Sequence, residues 1–211
     1  MEHYSELNRN FYDRNAEHFS KTRNIAWPIT QRFLEKFSPF SRIIDIGCGN
    51  GRNMLYRDDL HIEGIDASTE LCKIAHSRGL SVVHGCMTKL PFKSEYYDGA
   101  IMVASLHHLY YKNDRHQAIQ EAWRVLRPGG LLYIHVWAME QPLNSRRVFR
   151  KTDEIVGWWN AGSYSERYYR IYRKGELQKE VWECVPNAKL INEEYSLGNW
   201  VCTFCKLDEY D

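Results

Sequence analysis

Long apolar runs and an excess of charge of either sign are both missing from this sequence of 211 residues. Because no run of about 18 apolar residues occurs, a membrane-spanning helix is excluded, and we expect no membrane partner. Residues 1–6 are polar and lack the apolar centre of a secretion signal, so we expect a cytoplasmic protein that can also enter the nucleus. The formal net charge of +1 neither demands nor excludes a nucleic-acid partner, so any RNA contact must come from a local patch.

Paired cysteines and convergent metal ligands are also missing. The six cysteines are scattered, which argues against a disulfide scaffold. Cys202 and Cys205 form a C-x-x-C pair without a second pair at metal-ligand spacing, and positions three apart in a strand face opposite sides. His107 and His108 are adjacent but have no third ligand in the pattern. We therefore expect reduced, packed cysteines and no metal site.

The strongest pattern that is present lies in residues 41–51, where an apolar stretch leads into alternate glycines. Residues 42–45 indicate a short buried strand that ends at Asp45. Gly47 and Gly49 then allow a sharp turn and let a ligand touch the backbone, because no Cβ stands in the way. We predict a helix over residues 51–57, whose free N–H groups would favour an anion. The spacing G-x-G-x-G differs from the G-x-G-x-x-G of dinucleotide enzymes.

An acid in the next strand indicates what binds there. Residues 61–65 indicate a second strand, followed by Asp66, and an acid at this place binds ribose hydroxyls in sheets of this kind. A ligand with a ribose and an anionic group, but without a required pyrophosphate, fits S-adenosylmethionine. The stretch resembles the first motif of class I S-adenosylmethionine-dependent methyltransferases, and residues 126–131 resemble the entry to that family's fifth strand. An α/β domain that lacks this cofactor is the alternative.

Alternation of strands and helices from residue 41 onward predicts a parallel sheet with helices on both faces. The resemblance specifies a Rossmann-like α/β fold with seven mostly parallel strands and a carboxy-terminal antiparallel hairpin. The strands are predicted at 42–46, 61–65, 81–84, 97–104, 131–137, 188–194 and 199–206. The helices are predicted at 11–19, 28–37, 51–57, 69–78 and 114–126.

The resemblance also implies the residues that hold the cofactor. They are Asp45, Gly47, Gly49, Asp66, Ala67, Met87 and Ala104. Cys86 stands where the family usually has an acid that accepts a hydrogen bond from the adenine amine, and a thiol is a weak acceptor. Adenine recognition is therefore expected to depend on the backbone near Met87 and on apolar packing.

Two stretches in the second half of the chain combine basic and aromatic residues. Residues 145–151 contain four basic side chains, and residues 167–177 interleave basic residues with tyrosines. Aromatic rings that stack on bases and arginines that hold phosphates bind single-stranded RNA loops. A solvated basic face with tyrosines packed on the core explains the same pattern equally well.

A closer resemblance favours RNA. Several segments carry it: Arg23 with Trp27, residues 106–108 with Arg115, and residues 137–141, 167–177 and 199–200. Together they resemble the tRNA wobble-uridine carboxymethyl methyltransferases of fungi and of a human AlkB-type protein. The implied reaction transfers a methyl group to the carboxylate of 5-carboxymethyluridine at tRNA position 34, giving the methyl ester. A methyltransferase of a free small molecule, and a non-catalytic scaffold, remain as alternatives.

The resemblance assigns roles along a single domain, residues 1–211. Residues 1–40 would form a helical lid, 41–140 the cofactor-binding core, 141–185 the tRNA-binding insertion, and 186–211 the terminal hairpin. Arg23 and His107 are the candidates for orienting the substrate carboxylate or the cofactor's own carboxylate. The alternatives are a lid that merely packs on the domain with Arg23 solvated, and a packed turn at His107 and His108. The side chains expected to contact the anticodon loop are Trp137, Arg146, Arg147, Arg167, Tyr168 and Arg170.

A protein partner is also expected. The resembled family uses a small zinc-binding activator subunit. Residues 81–84 would lie at the edge of the sheet, and residues 80–83 are largely apolar and contain no proline. An open edge of this kind invites strand addition, so we predict a heterodimer through residues 81–84.

Overall fold

A computed structural model of the chain describes residues 3–145, 147–160 and 163–207. At its centre is a seven-stranded sheet in the order β3-β2-β1-β4-β5-β9-β8. The first five strands in that order run parallel, and β9 is antiparallel to both β5 and β8. The strands are β1 Arg42–Ile46, β2 His61–Asp66, β3 Ser81–His84, β4 Tyr97–Val103, β5 Leu126–Trp137, β8 Lys189–Ser196 and β9 Asn199–Cys205. The predicted fold class is confirmed.

Helices cover both faces of this sheet. On one face, α4 and α5 bury apolar side chains against β4 and β5, and on the other, Phe33 and Leu34 of α2 pack against Ile43, Ile101 and Tyr133. The α-helices among the described residues are α1 His3–Thr22, α2 Pro28–Leu34, α3 Thr69–Ser77, α4 Lys112–Val125 and α5 Glu176–Cys184. Within the described ranges, no helix is both long and apolar enough to cross a membrane.

Most predicted elements are present within a few residues of the expected bounds, but the helix predicted at 51–57 is wrong. That segment forms successive turns, with bonds from the Met54 N–H to the Gly51 carbonyl and from the Tyr56 N–H to the Asn53 carbonyl. Each of these bonds spans three residues instead of the four of an α-helix, so the segment is a series of turns. Residues 51–57 therefore do not supply the helix N-terminus that the sequence predicts directly after the glycine turn.

A second, two-stranded sheet follows β5 and was not predicted. The strands β6 Asp153–Asn160 and β7 Ser163–Arg170 form an antiparallel hairpin. The chain after β7 returns to the main sheet, where Tyr172 donates its N–H to the Trp137 carbonyl and accepts from the Met139 N–H. The hairpin is thereby fixed above the carboxyl ends of the parallel strands.

A buried ion pair fixes the segment that follows β4. Arg115 of α4 donates to Glu180 of α5 at 2.6 Å and also to the carbonyls of Leu109 and Tyr110 at 3.0 and 2.7 Å. Tyr172 donates to the other Glu180 oxygen at 2.8 Å. These bonds hold the short 3-10 turn Leu106–His108 in place between the sheet and the hairpin.

Candidate functional site

The carboxyl ends of β1, β2 and β4 open into a cleft that α1 and the β6–β7 hairpin cover. Of the residues expected in the site, the following line this cleft: Arg23, Gly47, Gly49, Asp66, Ala67, Met87, Ala104, His107, Trp137, Arg147 and Arg167. We call Gly47, Gly49, Asp66, Ala67 and Met87 the glycine wall, and Arg23, His107, Trp137, Arg147 and Arg167 the arginine wall. The two walls differ in chemistry.

Gly47 makes the tightest turn of the glycine wall. Its φ of +78° lies in the left-handed region, and a Cβ on it would stand 2.3 Å from the Ser105 Cβ. Ser105 is itself fixed, because its hydroxyl donates to the Ile46 carbonyl at 2.7 Å. No side chain fits at residue 47 without displacing Ser105, so the backbone here stays bare and accessible to a ligand.

Asp66 braces the same turn. One of its carboxylate oxygens accepts from the Gly49 N–H at 2.7 Å, and the other accepts from the Ser68 N–H at 2.8 Å. Burial raises the pKa of Asp66, although these two backbone donors oppose the shift. A carboxylate has about four acceptor positions, so two remain for the hydroxyls of a ribose.

Asp45 lies behind the glycine turn and does not line the cleft. It is fully buried, and Asn53 donates to its Oδ2 at 3.1 Å. Its Oδ1 has no hydrogen-bond partner among the described residues, and burial raises its pKa to about 7. Asn53 belongs to the turns that replaced the predicted helix, so those turns serve to fix Asp45.

The remaining cofactor candidates lie at the ends of neighbouring strands. Ala104, directly after β4, has a φ of +54°, which is strained for a residue with a side chain. Cys86 and Met87 follow β3 and line the cleft, and the Cys86 sulfur lies 3.0 Å from the Thr88 hydroxyl. Bare backbone, two spare acceptor positions on Asp66 and apolar contact from Met87 fit a ligand with a ribose and an adenine.

On the arginine wall, His107 has a fixed tautomer. Its Nδ1 accepts from the Trp137 N–H at 3.1 Å, so the ring proton must lie on Nε2. Nε2 is buried and has no partner within the described part of the chain. Burial, reinforced by His108 and His135, lowers the pKa of His107 well below its usual value, so this residue lines the cleft as a neutral ring.

His108 belongs instead to a clamp that α1 forms with β7. Its ring nitrogens contact the Tyr12 hydroxyl at 2.7 Å and the Tyr168 carbonyl at 3.1 Å, so Nδ1 donates to the carbonyl and Tyr12 donates to Nε2. Burial lowers the pKa of His108 to about 3. Asn8 accepts from the Tyr168 N–H at 2.8 Å and donates to the His108 carbonyl at 2.9 Å. His108 is thus a structural residue.

The arginines of the cleft lie on aromatic rings rather than beside acids. The guanidinium carbons of Arg23, Arg147 and Arg167 lie 4.5, 4.2 and 4.3 Å from the ring centres of Phe19, Trp137 and Phe11, respectively. No carboxylate in the described ranges forms an ion pair with any of these three arginines, whereas seven other arginines in those ranges do pair with a carboxylate. Burial lowers the pKa of Arg23 and of Arg147, and Arg167 lowers both further.

Two residues expected to contact RNA are placed elsewhere. Tyr168 is 1% exposed, and its hydroxyl donates to Asp153, so its ring is not available to stack on a base. Arg170 lies outside the cleft and pairs with Glu176 at 3.3 Å. Arg146 lies outside the described residues. Trp137 lines the cleft but is covered by the Tyr169 ring, with centres 3.9 Å apart, and by Arg147 on it.

Sequence reasoning missed several residues of the cleft: Asn8, Tyr12, Arg52, Ser105, Tyr169 and Asn199. Tyr12 and Asn8 belong to a helix whose pattern indicates only which face is apolar. Tyr169 stood in a motif of basic and aromatic residues, but its neighbour Tyr168 was chosen. In a strand, adjacent side chains point to opposite faces, so this choice required the register of β7.

Comparisons with known proteins agree with this geometry. Residues 44–134 match a family described as "Methyltransferase domain". The chain is 33% identical over 223 positions to the tRNA (carboxymethyluridine(34)-5-O)-methyltransferase of Schizosaccharomyces pombe, covering 95% of this chain and 96% of that protein. It is 39% identical over 168 positions to "Probable tRNA methyltransferase 9B" of Bos taurus, covering 80% of this chain but only 36% of that longer protein.

Solved structures show the same fold. A SAM-dependent methyltransferase from Methanosarcina mazei superposes with a TM-score of 0.72 at 19% identity, covering 88% of this chain and 100% of its own. A structure from Haloferax volcanii, described as a complex of the Trm112 methyltransferase activator with a methyltransferase, superposes with a TM-score of 0.70 at 15% identity, covering 96% and 99%. The cofactor of the fold is S-adenosylmethionine, which Asp66, Ala67, Met87 and the backbone of Gly47 and Gly49 would hold. Given its match to nearly the whole length of the fission-yeast enzyme, the chain belongs to the tRNA (carboxymethyluridine(34)-5-O)-methyltransferase family.

Proposed function

We propose that this chain transfers a methyl group from S-adenosylmethionine to the carboxylate of 5-carboxymethyluridine at position 34 of tRNA, forming the methyl ester. The observation that carries the proposal is the arginine wall: three arginines and the neutral donor of His107 meet in one cleft without an acidic partner in the described residues. An anionic substrate group compensates such a cluster, whereas a neutral or cationic one leaves it unpaired. The relative that matches along its whole length is named for this reaction.

The reaction needs no general base. A carboxylate with a reference pKa of about 4 is already ionised at neutral pH. When bound, S-adenosylmethionine supplies a methyl group on a sulfonium sulfur, and the sulfur keeps the bonding electron pair as a carboxylate oxygen bonds to the methyl carbon. His107 is suited to donate a hydrogen bond rather than to accept a proton, because its Nδ1 is occupied by the Trp137 N–H.

The protein's contribution is therefore to position the substrate and exclude water. The Tyr12 hydroxyl fastens α1 to His108 of the 3-10 turn, and the Asn8 amide fastens it to Tyr168 of β7, which places Phe19 and Arg23 over the glycine turn. Asn50 reinforces this closure by donating to the Ser20 hydroxyl at 3.1 Å and to the Arg23 carbonyl at 2.9 Å. A dry cleft favours a reaction in which opposite charges neutralise each other, and correct orientation lowers the barrier further.

The decisive assay uses anticodon stem-loops that differ only at position 34. We expect the stem-loop with 5-carboxymethyluridine to yield the methyl ester, detected by nucleoside mass spectrometry, and the stem-loop with unmodified uridine to yield none. Methylation of unmodified uridine at the same rate would show that the reaction class is wrong. Equal turnover of free 5-carboxymethyluridine would support a small-molecule methyltransferase instead.

We further propose that a small activator subunit adds a strand to the edge of the sheet at β3. In support, β3 is an edge strand of the sheet, and its residue Val83 is 39% exposed. The Haloferax volcanii neighbour is itself described as bound to an activator, but at 15% identity its likeness concerns only the fold. Val82 is buried, so a charge at that position would damage the domain itself, and Val83 is the informative position.

The partner proposal is tested by co-expression with candidate zinc-binding activators. Val83→Asp should abolish co-purification, whereas Ile191→Asp, placed on the opposite edge strand β8 at 48% exposure, should leave it intact. A chain that is soluble, monomeric and fully active on tRNA by itself would refute the requirement for a partner.

A further inference from the structure

Arg167 is a buried cation that forms no ion pair with a carboxylate in the described chain, and its side chain hydrogen-bonds only to a hydroxyl group, that of Tyr12. It is only 8% exposed, and its side chain faces the cleft from the middle of β7. Its guanidinium carbon lies 4.3 Å from the Phe11 ring centre, 5.2 Å from that of Tyr169 and 5.3 Å from that of Trp158. The rings favour a cation but cannot accept all of its N–H bonds, and Nε is buried without an acceptor among the described residues.

Arg115 shows what this fold does with a structural arginine. It is buried to a similar degree, at 6% exposure, yet it binds Glu180 and two backbone carbonyls. Buried charges are ordinarily paired in this way, because an unpaired one loses its hydration without compensation. At Arg167 the neighbouring charges are instead Arg23 and Arg147, which repel it. The missing anion must then come from a ligand.

Two anionic groups enter this cleft, the carboxylate of the substrate and that of the cofactor. The position of Arg167 favours the substrate. It contacts Tyr12 and Tyr169, and Tyr169 also packs against the ring of His107 at 5.0 Å. Arg52, by contrast, lies on Trp27 beside the glycine turn, in the electrostatic range of Asp45.

We propose that Arg167 is the specificity residue that binds the substrate's carboxylate and rejects the neutral 5-carbamoylmethyl analogue. This inference rests on the proposed function, and it reassigns a residue that the sequence pattern had placed on the anticodon backbone. One carboxylate oxygen is held by the guanidinium, which leaves the other as the nucleophile. An amide in the same place offers the guanidinium only a neutral oxygen and adds unmatched N–H donors.

The test compares two anticodon stem-loops that differ only in the group at position 34, carboxymethyl or carbamoylmethyl. Binding is measured by calorimetry with S-adenosylhomocysteine present, so that no turnover occurs. Since a hydrogen bond between charged groups is worth about ten- to a hundredfold in affinity, we expect at least a tenfold preference for the carboxylate in the unaltered protein. Arg167→Met should reduce this preference to less than about threefold, and Arg167→Lys should retain part of it.

Controls separate this role from others. Arg127→Met removes an arginine that pairs with Asp98 away from the cleft, and it should leave the preference unchanged. The affinity of Arg167→Met for S-adenosylhomocysteine should stay within about threefold of the unaltered protein, as expected of an intact fold. A fall in that affinity, with the stem-loop preference retained, would mean that Arg167 binds the cofactor's carboxylate and would overturn the proposal.

Two further outcomes also overturn the proposal. An equal loss of affinity for both stem-loops, with a shallower salt dependence, would make Arg167 a phosphate contact. An unaltered preference in Arg167→Met would leave the carboxylate to Arg23 or His107. If the unaltered protein neither prefers nor methylates the carboxymethyl stem-loop, the proposed function itself fails. This failure is distinguishable from a failure of the Arg167 assignment, because it is observed without any variant.

Discussion

The two walls of the cleft are built in opposite ways. The glycine wall follows from short stretches at the ends of β1, β2 and β3, and its chemistry consists of bare backbone and a buried carboxylate. The arginine wall is assembled from α1, the 3-10 turn, the end of β5 and the β6–β7 hairpin, and its chemistry consists of cations on aromatic rings. One wall is a local motif, and the other exists only after distant segments have packed together.

This difference predicts how each wall fails. Damage to the glycine wall distorts the backbone and should abolish cofactor binding together with part of the stability. Damage to the arginine wall removes side chains from an intact frame and should change substrate binding while the cofactor still binds. The following variants test that separation.

The largest effect is expected for Gly47→Ala. A methyl group would meet the Ser105 Cβ at 2.3 Å, and a left-handed φ costs about 1–2 kcal/mol for a residue with a side chain. We expect loss of detectable cofactor binding by calorimetry and a loss of about 2–4 kcal/mol in the free energy of unfolding. Gly79→Ala is the matched control, since its φ is +79° but nothing lies within 4 Å of a Cβ there. If Gly79→Ala loses as much stability as Gly47→Ala, backbone strain alone explains the loss of stability, and the clash with Ser105 does not contribute.

The next effect concerns Asp66→Ala, which should weaken cofactor binding about ten- to a hundredfold or more. Because Asp66 also accepts the Gly49 and Ser68 N–H groups, the variant should lose about 1–3 kcal/mol of stability as well. Asp98→Ala is the control: it likewise removes a carboxylate that accepts a backbone N–H, from Arg42 at 2.6 Å, but away from the cleft. Cofactor affinity of Asp66→Ala within threefold of the unaltered protein would remove Asp66 from the binding site.

A smaller effect is expected from His135, which is 1% exposed beneath Trp27. Burial lowers the pKa of His135 to about 3, whereas in the unfolded chain it is about 6.5. Between pH 3 and pH 6.5, approximately, His135 binds a proton in the unfolded chain but not in the folded protein. This residue therefore makes the free energy of unfolding fall as pH drops below about 6.5. His135→Phe should make that fall shallower by about 1.4 kcal/mol per pH unit, measured by urea unfolding from pH 7.5 to 4.5. Parallel curves for the two proteins would show that His135 is protonated in the folded state.

The smallest effect is expected at the mouth of the cleft. Arg147 is exposed overall, although its guanidinium carbon is partly desolvated on the Trp137 ring, and it has no ion pair in the described residues, so Arg147→Ala should weaken tRNA binding and reduce the salt slope by about 0.7. The sequence pattern predicts the same for Arg170→Ala, but Glu176 already pairs with Arg170, so we now expect a smaller change. Binding curves at two salt concentrations compare the two variants. A larger slope change for Arg170 than for Arg147 would place the RNA on the outer side of the hairpin.

Much of the fold could be predicted because its signals are local. The apolar strands, the acids at the ends of β1 and β2, and the glycine spacing each depend on a few neighbouring residues. The exception is the segment 51–57, where the sequence predicts a helix but the chain forms successive turns that carry Asn53 to the buried Asp45. Whether Asn53 reaches Asp45 depends on how this segment packs behind β1, which is a tertiary fact.

The sequence by itself determined the strand ends and the glycine turn of the glycine wall, since these signals depend on adjacent residues. Only the tertiary structure decided that Arg167 is buried in the cleft while Tyr168 faces away, because strand register fixes which of two adjacent side chains points inward. It also decided that His108 is structural and His107 is a neutral donor, since their partners, Tyr12, Tyr168 and Trp137, come from distant parts of the chain. Burial and hydrogen bonding at these positions arise from packing between distant segments, for which a single sequence carries no local pattern.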